Sequence, residues 1–285
     1  MSAADILAVA STQTATFRPQ EDETEWATVR QILENAENSS PRSLQWAIGP
    51  SEMGTNCLHC LAARLAGWDR MQEAPLAPWI GTAVHAQHEH LFRSLPGNRW
   101  KPEYPVHTCN LTMPDGRLMH IGGHIDLWDT QTHTTLDWKF VGESVYRAAR
   151  HGEVSQEYRI QASLYGIGLA NENHAPNTSE VIFFNRATGR TFDDVCALAW
   201  PFEEKPGRWA ISRCQQILNV LRRFEYEGER EVRDAWIRSL TRASFCFSCR
   251  DYPDAELRGM RVPWDKQVPK WAIDEAENLE AVYKG

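Results

Sequence analysis

Apolar residues recur at the spacing of an α-helix in several stretches of the chain. Between residues 80 and 92, apolar positions four and seven apart form one stripe, and His85 and Glu89 lie one turn apart beside it. The same periodicity predicts further helices at residues 21–38, 51–67, 155–170 and 205–227. The second of these is expected to begin at Ser51, whose hydroxyl can cap a helix, and to end at Gly67.

The pattern changes to that of β-strands between residues 101 and 141. Strands are predicted at residues 106–111, 118–128 and 134–141, and a continuous apolar run predicts another at 181–185. Asp115 and Gly116 form a hairpin signal between the first two strands. The order helix, three strands, helix, strand predicts one α/β domain with helical extensions at both ends.

Composition narrows the class of protein. The chain has 285 residues, of which 42% are hydrophobic and 12 are tryptophan, enough for a sizeable core. No stretch reaches the roughly 18 apolar residues of a membrane span, and residues 1–17 lack the basic segment and apolar run of a secretion signal. We therefore expect a cytoplasmic protein with no membrane partner. The net charge of −8 means that any contact with DNA must come from a local cluster of Arg and Lys.

Two aspartates and a lysine in the predicted strands indicate a cation site. Asp137 and Lys139 are two residues apart and share a face of their strand. A turn centred on Gln131 and Thr132 would place Asp126 directly opposite Asp137, where two carboxylates repel unless a cation lies between them. Oxygen ligands favour Mg²⁺ or Mn²⁺, with Lys139 supplying positive charge to the transition state. The alternative is a solvated hairpin with an incidental Asp–Lys pair.

Further motifs accompany these residues in a fixed order. They are Gly81-Thr82-Ala83-Val84-His85 before the strands, Gly123-His124-Ile125-Asp126 and Asp137-Trp138-Lys139 within them, and Gln161-Ala162-Ser163-Leu164-Tyr165 after them. Over residues 51–249 this order resembles the RecB-like nucleases of the PD-(D/E)XK superfamily, including the exonucleases associated with CRISPR adaptation and their phage relatives. The resemblance implies a restriction-endonuclease-like core, a central mixed sheet flanked by helices, that hydrolyses DNA. Glu203-Glu204-Lys205 fits the acid-x-lysine pattern without an upstream partner, so a match to that pattern alone means little.

The resemblance also implies a role for individual residues. The ligands of Mg²⁺ or Mn²⁺ would be His85, Asp126, Asp137 and the main-chain carbonyl of Trp138. The catalytic group would consist of Lys139, Asp126, Asp137, Gln161 and Tyr165. One departure from the family pattern is Ile125, which stands where the superfamily's name has a proline. Phosphate contacts are expected from Arg147, Arg150 and Arg159, for which a solvated helix surface is the alternative.

The cysteines form a second group. Of seven, four are arranged as Cys57-x-x-Cys60 and Cys246-x-x-Cys249, a spacing that suits tetrahedral zinc and a [4Fe-4S] cluster about equally. Binding would join the N-terminal helix to the C-terminal segment and stabilise the core between them. The family resemblance favours the cluster, although those relatives place one cysteine before the domain and three after it. Buried thiols are expected at the remaining positions, Cys109, Cys196 and Cys214.

Together these features predict an arm at residues 1–45, a nuclease domain at residues 46–250 that includes both cysteine pairs, and a tail at residues 251–285. The predicted function is that of a metal-dependent DNA exonuclease acting on single strands or ends, in a bacterial or phage-infected cell, with recombination or replication proteins as partners. Two other classes stay open. One is a DNA-processing or interaction module that holds zinc or an iron–sulfur cluster without cutting, and the other is a zinc-ribbon regulator.

Overall fold

The structure is a computed structural model that describes residues 25–38, 48–70, 76–244 and 246–285. The chain divides into two units, residues 1–44 and 45–285. In the first unit the described residues form helix α1, Glu25–Asn38, which carries an ion pair between Arg30 and Glu34 at 2.7 Å. The helix predicted at residues 21–38 is present from Glu25 onwards, and residues 21–24 lie outside the described residues.

The second unit is built on a mixed β-sheet. In the described residues the sheet has five strands, in the order β1 to β5: Trp100–Thr112, Leu118–Asp129, Thr134–Val141, Thr178–Asn185 and Cys196–Pro201. β3 and β4 are parallel, and the other neighbouring pairs are antiparallel. The predicted α/β fold with a mixed sheet flanked by helices is confirmed. The edge strand β5 is not among the predicted strands.

The turn between β2 and β3 has the predicted register. Asp129 pairs with Thr134, which centres the turn between Gln131 and Thr132. β1 is longer than the predicted strand at residues 106–111, and its pairing with β2 shifts by one residue just after His107. This irregularity is a β-bulge, and it sets the register of the β1 residues that lie opposite Asp126 in β2.

The crossover from β3 to β4 carries α5, Glu143–Arg150, and α6, Gln156–Asn171. From its second turn onwards α6 is almost entirely buried, and it contacts β1. Two of its glycines permit this close packing: a Cβ on Gly166 would lie 2.2 Å from the ring of Phe202, and one on Gly168 would lie 2.7 Å from Val106. α6 therefore lies close enough to the sheet to bring its side chains to the strand residues.

The helix predicted at residues 51–67 is interrupted. α2 covers Pro50–Met53 and α3 covers Leu58–Leu65. Between them Gly54 touches α6, since a Cβ there would lie 2.7 Å from the backbone of Glu157. The predicted cap at Ser51 is wrong, because α2 begins after Gly49, whose N–H donates to the Glu52 carboxylate at 3.1 Å. The interruption makes Cys57 the residue that precedes α3.

Helices from both ends of the second unit pack into one core. The remaining helices are α4, Leu76–Ser94, α7, Glu204–Glu227, α8, Arg230–Ser239, and α9, Lys270–Asn278. Trp236 of α8 is fully buried and donates its indole N–H to the carbonyl of Ala272 in α9 at 2.8 Å. Within the described ranges, no helix combines the length and apolar character needed to cross a membrane.

Candidate metal centres

The first candidate site lies where β2 and β3 separate. Their paired ladder ends at Leu127 and Leu136. Beyond it the carboxylate of Asp126 accepts the main-chain N–H of Trp138 at 2.7 Å. This hydrogen bond fixes the carboxylate between the two strands, and it explains why a buried aspartate is tolerated there.

Helix α4 places a histidine beside Asp126. Nδ1 of His85 lies 3.3 Å from Oδ1 of Asp126, and 27% of the His85 side chain is exposed. Burial alone would lower the pKa of His85, but the hydrogen bond with Asp126 and the charge of that carboxylate raise it. The structure therefore brings together two of the residues that the sequence analysis assigned to one metal ion.

A third donor, Glu103, is absent from the sequence prediction. Ligand atoms of His85, Glu103 and Asp126 all lie within 4.8 Å of one another, close enough to hold one metal ion. The neighbours of Glu103 in β1, Pro102 and Tyr104, pair with the residues on either side of Asp126, so the two carboxylates face each other across the strands. The φ angle of Glu103 is +48°. A residue other than glycine seldom adopts this conformation, which costs about 1–3 kcal/mol.

Lys139 is held by a hydrogen-bond network with Asp137 and Gln161. Its Nζ lies 2.5 Å from Oδ2 of Asp137 and donates to Oε1 of Gln161 at 3.1 Å. The amide nitrogen of Gln161 donates to Oδ1 of Asp137 at 3.1 Å and to the hydroxyl of Tyr165 at 3.0 Å. The network ties β3 to α6, and it uses both hydrogens of the glutamine amide.

Two buried groups in this network, Asp137 and Lys139, have pKa values shifted from their ordinary values. Burial raises the pKa of Asp137 to about 6, against the opposing charge of Lys139. Burial alone would lower the pKa of Lys139, but the charges of Asp137 and Asp126 outweigh it and raise that pKa above its ordinary value. Lys139 is therefore a cation at neutral pH. Strongly shifted groups that share one site are typical of functional sites.

The predicted site residues fall into two adjoining groups. Among the described residues, Asp137 is not a member of the three-donor group with His85. Both of its oxygens are instead engaged, one by Lys139 and the other by Gln161. The main-chain N–H of Trp138 contacts Asp126, while a role for its carbonyl as a metal ligand stays a prediction.

The three arginines predicted to contact DNA lie on the crossover helices. Arg147 pairs with Glu143 at 3.3 Å and has 69% of its side chain exposed. Arg159 pairs with Glu203 at 2.6 Å, and Arg150 is exposed at the end of α5. A phosphate would have to displace a carboxylate from Arg147 and Arg159, and their role with DNA stays a prediction.

The second candidate site unites both cysteine pairs, as predicted. Cys57 and Cys60 lie at the start of α3, and Cys249 lies in the short 3₁₀ turn Ser248–Asp251. The sulfur of Cys249 lies 3.5 Å from that of Cys57 and 3.3 Å from that of Cys60, which lies 3.5 Å from that of Cys246. All four thiols are free. Contacts with Cys246, Cys249 and Cys60 lower the pKa of the Cys57 thiol, and contacts within the same group raise the pKa of the Cys60 and Cys249 thiols.

A histidine that was not among the predicted site residues, His59, lies against this centre. His59 is fully buried, and its Nδ1 lies 3.7 Å from the sulfur of Cys60 and 4.0 Å from that of Cys249. Its Nε2 lies 3.0 Å from Oδ2 of Asp254. The ligand atoms of Cys57, His59, Cys60 and Cys249 all lie within 4.8 Å of one another. The only sequence signal for His59 was its position inside the first cysteine pair.

The other cysteines lie away from this centre. Cys214 is fully buried, and burial raises its pKa to about 12. Cys109 and Cys196 are half-buried, and burial raises the pKa of Cys109 to about 11. The prediction of a buried thiol is right for Cys214, whereas it overstates the burial of the other two.

The chemistry of the two donor sets differs. A buried group of cysteines and a histidine suits zinc or an iron–sulfur cluster. One nitrogen and two carboxylates suit a divalent ion such as Mn²⁺ or Mg²⁺. No protein-family model matches the chain, and no curated protein is found to be similar to it.

Proposed function

We propose that the protein is a metal-dependent DNA nuclease. The observation that carries the proposal is the convergence of His85, Glu103 and Asp126 beside the buried ion pair of Asp137 and Lys139. A structural role would not require three metal-binding donors and a charged lysine at the point where two strands separate. The cost of burying these groups favours a function that uses them.

The metal-binding residues and Lys139 would have different roles in phosphodiester hydrolysis. His85, Glu103 and Asp126 would hold Mg²⁺ or Mn²⁺, which when bound polarises a phosphate and lowers the pKa of water. Lys139 would stabilise the negative charge that grows on the phosphate as water attacks phosphorus and the bond to the leaving sugar oxygen breaks. Asp137 and Gln161 keep the lysine ammonium pointed at the site, since both contact its Nζ.

The order of the motifs supports the finer assignments. It is the order of the RecB-like nucleases, and from that likeness we propose exonuclease activity on single strands or ends in a bacterial or phage-infected cell. Arg147, Arg150 and Arg159 would then contact the DNA backbone, and recombination or replication proteins would be the partners. The net charge of −8 requires such local cations for any DNA contact.

Cleavage of labelled single- and double-stranded DNA with Mg²⁺ or Mn²⁺ tests the proposal. Asp126→Asn and Glu103→Gln are expected to lower the rate at least about 100-fold while DNA binding persists, because each keeps its shape but loses a charged metal ligand. DNA binding without cleavage by the parent protein would favour the DNA-processing module instead. Cleavage by both variants at the parent rate would show that the assigned metal site is wrong.

A further inference from the structure

We propose that the four-cysteine centre binds a single zinc ion and that His59 is its positioning residue, donating an N–H hydrogen bond to the thiolates of Cys60 and Cys249. The four-cysteine centre shares no residue with the proposed nuclease site, so its metal content does not depend on whether the protein cuts DNA. A single zinc ion differs from the [4Fe-4S] cluster that the family resemblance favours.

The spacing of the sulfur atoms supports one ion. Four thiolates at about 2.3 Å from a tetrahedral zinc lie about 3.8 Å from one another. The Cys57–Cys249 and Cys60–Cys246 sulfur separations are 3.5 Å and the Cys60–Cys249 separation is 3.3 Å, and these three distances are close to that value. In a [4Fe-4S] cluster each cysteine binds a different iron, so the width of the cluster is added between the sulfurs. A disulfide is excluded by the same distances, because its sulfurs lie about 2.05 Å apart.

The surroundings of His59 assign a donor role to both of its nitrogens. Nε2 faces the carboxylate of Asp254, and Nδ1 faces the sulfurs of Cys60 and Cys249. Carboxylates and thiolates only accept hydrogen bonds, so each ring nitrogen that faces them donates. Because four cysteines complete the shell of a tetrahedral ion, the imidazole lies outside it as a hydrogen-bond donor.

Electrostatics favours the same arrangement. Four thiolates around a divalent ion leave a net charge of about −2 in a buried site, which is costly without hydrogen-bond donors or positive charge nearby. The ring N–H of His59 is the donor that lies next to the sulfurs of Cys60 and Cys249. Asp254, on its other side, is paired with Arg242, whose Nη2 lies 2.6 Å from Oδ2 of that carboxylate. The Asp254–Arg242 pair therefore holds the imidazole without adding net charge beside the thiolates.

Aromatic packing and hydrogen bonds hold the imidazole of His59 in place. The edges of Trp68 and Tyr252 meet His59 with ring centroids 5.8 and 5.7 Å away. The main-chain N–H of His59 donates to the carbonyl of Thr241 at 3.2 Å. These contacts and the bond to Asp254 link α3 to the C-terminal segment at the place where the cysteines link them. These contacts therefore fix the orientation of the imidazole toward the sulfurs.

The first test is metal content. Protein purified without oxygen is expected to contain one zinc per chain and to be colourless. Four irons and acid-labile sulfide per chain would overturn the assignment of a single ion. Mg²⁺ or Mn²⁺ bound by His85, Glu103 and Asp126 does not affect this result, because these two ions are measured separately from zinc and iron in the same sample.

The second test addresses His59 with zinc release and with cobalt substituted for zinc. His59→Phe keeps the ring size but removes the donor, so zinc should pass to a chelator about 10- to 100-fold more easily. The thiolate-to-cobalt band should move to longer wavelength, because sulfurs without the hydrogen bond are richer in electrons. His59→Asn, which retains an N–H near the position of Nδ1, should restore both values in part. Tyr252→Phe, which keeps an aromatic edge on His59, serves as the control.

Unchanged zinc release and an unshifted cobalt band in His59→Phe would overturn the role of His59 as donor. Loss of the tetrahedral cobalt spectrum would overturn it too, since His59 would then be a ligand. If His59→Phe does not fold, Asp254→Asn decides the same question. Faster zinc release and the same band shift are expected there, and values like those of the parent would refute the proposal.

Discussion

Asp129 offers a quantitative test of the turn that positions the two functional strands. At the end of β2, its carboxylate accepts hydrogen bonds from Arg99 at 2.9 and 2.7 Å, from the main-chain N–H of Gln131 at 2.9 Å and from the hydroxyl of Thr132 at 2.8 Å. Only 5% of the side chain is exposed. Asp129→Asn keeps the size but loses the charge, so the turn should become less stable.

The size of the effect follows from the pKa of Asp129. The Arg99 guanidinium, the main-chain N–H of Gln131 and the hydroxyl of Thr132 lower it from 3.8 to about 2. That difference corresponds to about 2 kcal/mol, which we reduce to about 1–2 kcal/mol because Arg99 is 43% exposed. A carboxyl group whose pKa is lower in the folded than in the unfolded protein stabilises the fold at pH values above its unfolded pKa. The contribution is therefore complete above about pH 4 and is lost as the pH falls from 4 to 2.

Urea unfolding of the parent protein and of Asp129→Asn between pH 7 and pH 3 measures this. The parent should be more stable by about 1–2 kcal/mol from pH 7 to pH 4.5, and the difference should shrink below pH 4. Asp115→Asn is the control, since that aspartate pairs with Arg117 in an exposed hairpin turn and should change stability much less. A difference that stays constant down to pH 3 would refute the reasoning about Asp129.

Two further predictions concern packing and the thiolate centre. Gly166→Ala should destabilise the protein by about 1–3 kcal/mol in thermal unfolding, because the new Cβ would meet Phe202 at 2.2 Å. Gly81→Ala, with nothing within 4 Å of its Cβ, should raise stability by up to about 1 kcal/mol, and equal effects would contradict the packing described. Cys57→Ser should release the metal and lower the unfolding midpoint, whereas Cys196→Ser should retain it. If a chelator lowered the unfolding midpoint of Cys57→Ser as much as that of the parent protein, Cys57 would not be needed to hold the metal, which would contradict the proposed metal centre.

The sequence was most informative where short-range rules decide the structure. The turn at Gln131 and Thr132 is brief, and strand residues alternate faces, so the register that brings Asp126 near Asp137 followed from counting. The cysteine pairs were predictable for another reason. Two matched pairs have few uses other than binding the same ion, although Cys60 and Cys249 are far apart in the chain.

The features that escaped prediction depend on long-range contacts or unusual backbone. Glu103 lies in a stretch interrupted by Pro102 and Pro105, and its left-handed φ and the later bulge in β1 leave no periodic signal. The break after α2 arises because Gly54 meets α6, a contact that local helix propensity does not contain. His59 is one histidine among ten, and apart from its place between Cys57 and Cys60 it is distinguished by contacts with residues distant in the chain, Cys249 and Asp254.

The rate of DNA cleavage by Lys139→Met, measured beside Lys205→Met, tests the central claim most directly. Both lysines follow an acidic residue two positions earlier, but Lys205 is exposed at the start of α7 whereas Lys139 lies against Asp137 in the buried network. With Mg²⁺ or Mn²⁺ present, we expect Lys205→Met to cut like the parent and Lys139→Met to be slower by at least about 100-fold, with folding and DNA binding retained. Equal rates for the two variants, or no cleavage by the parent, would contradict the account.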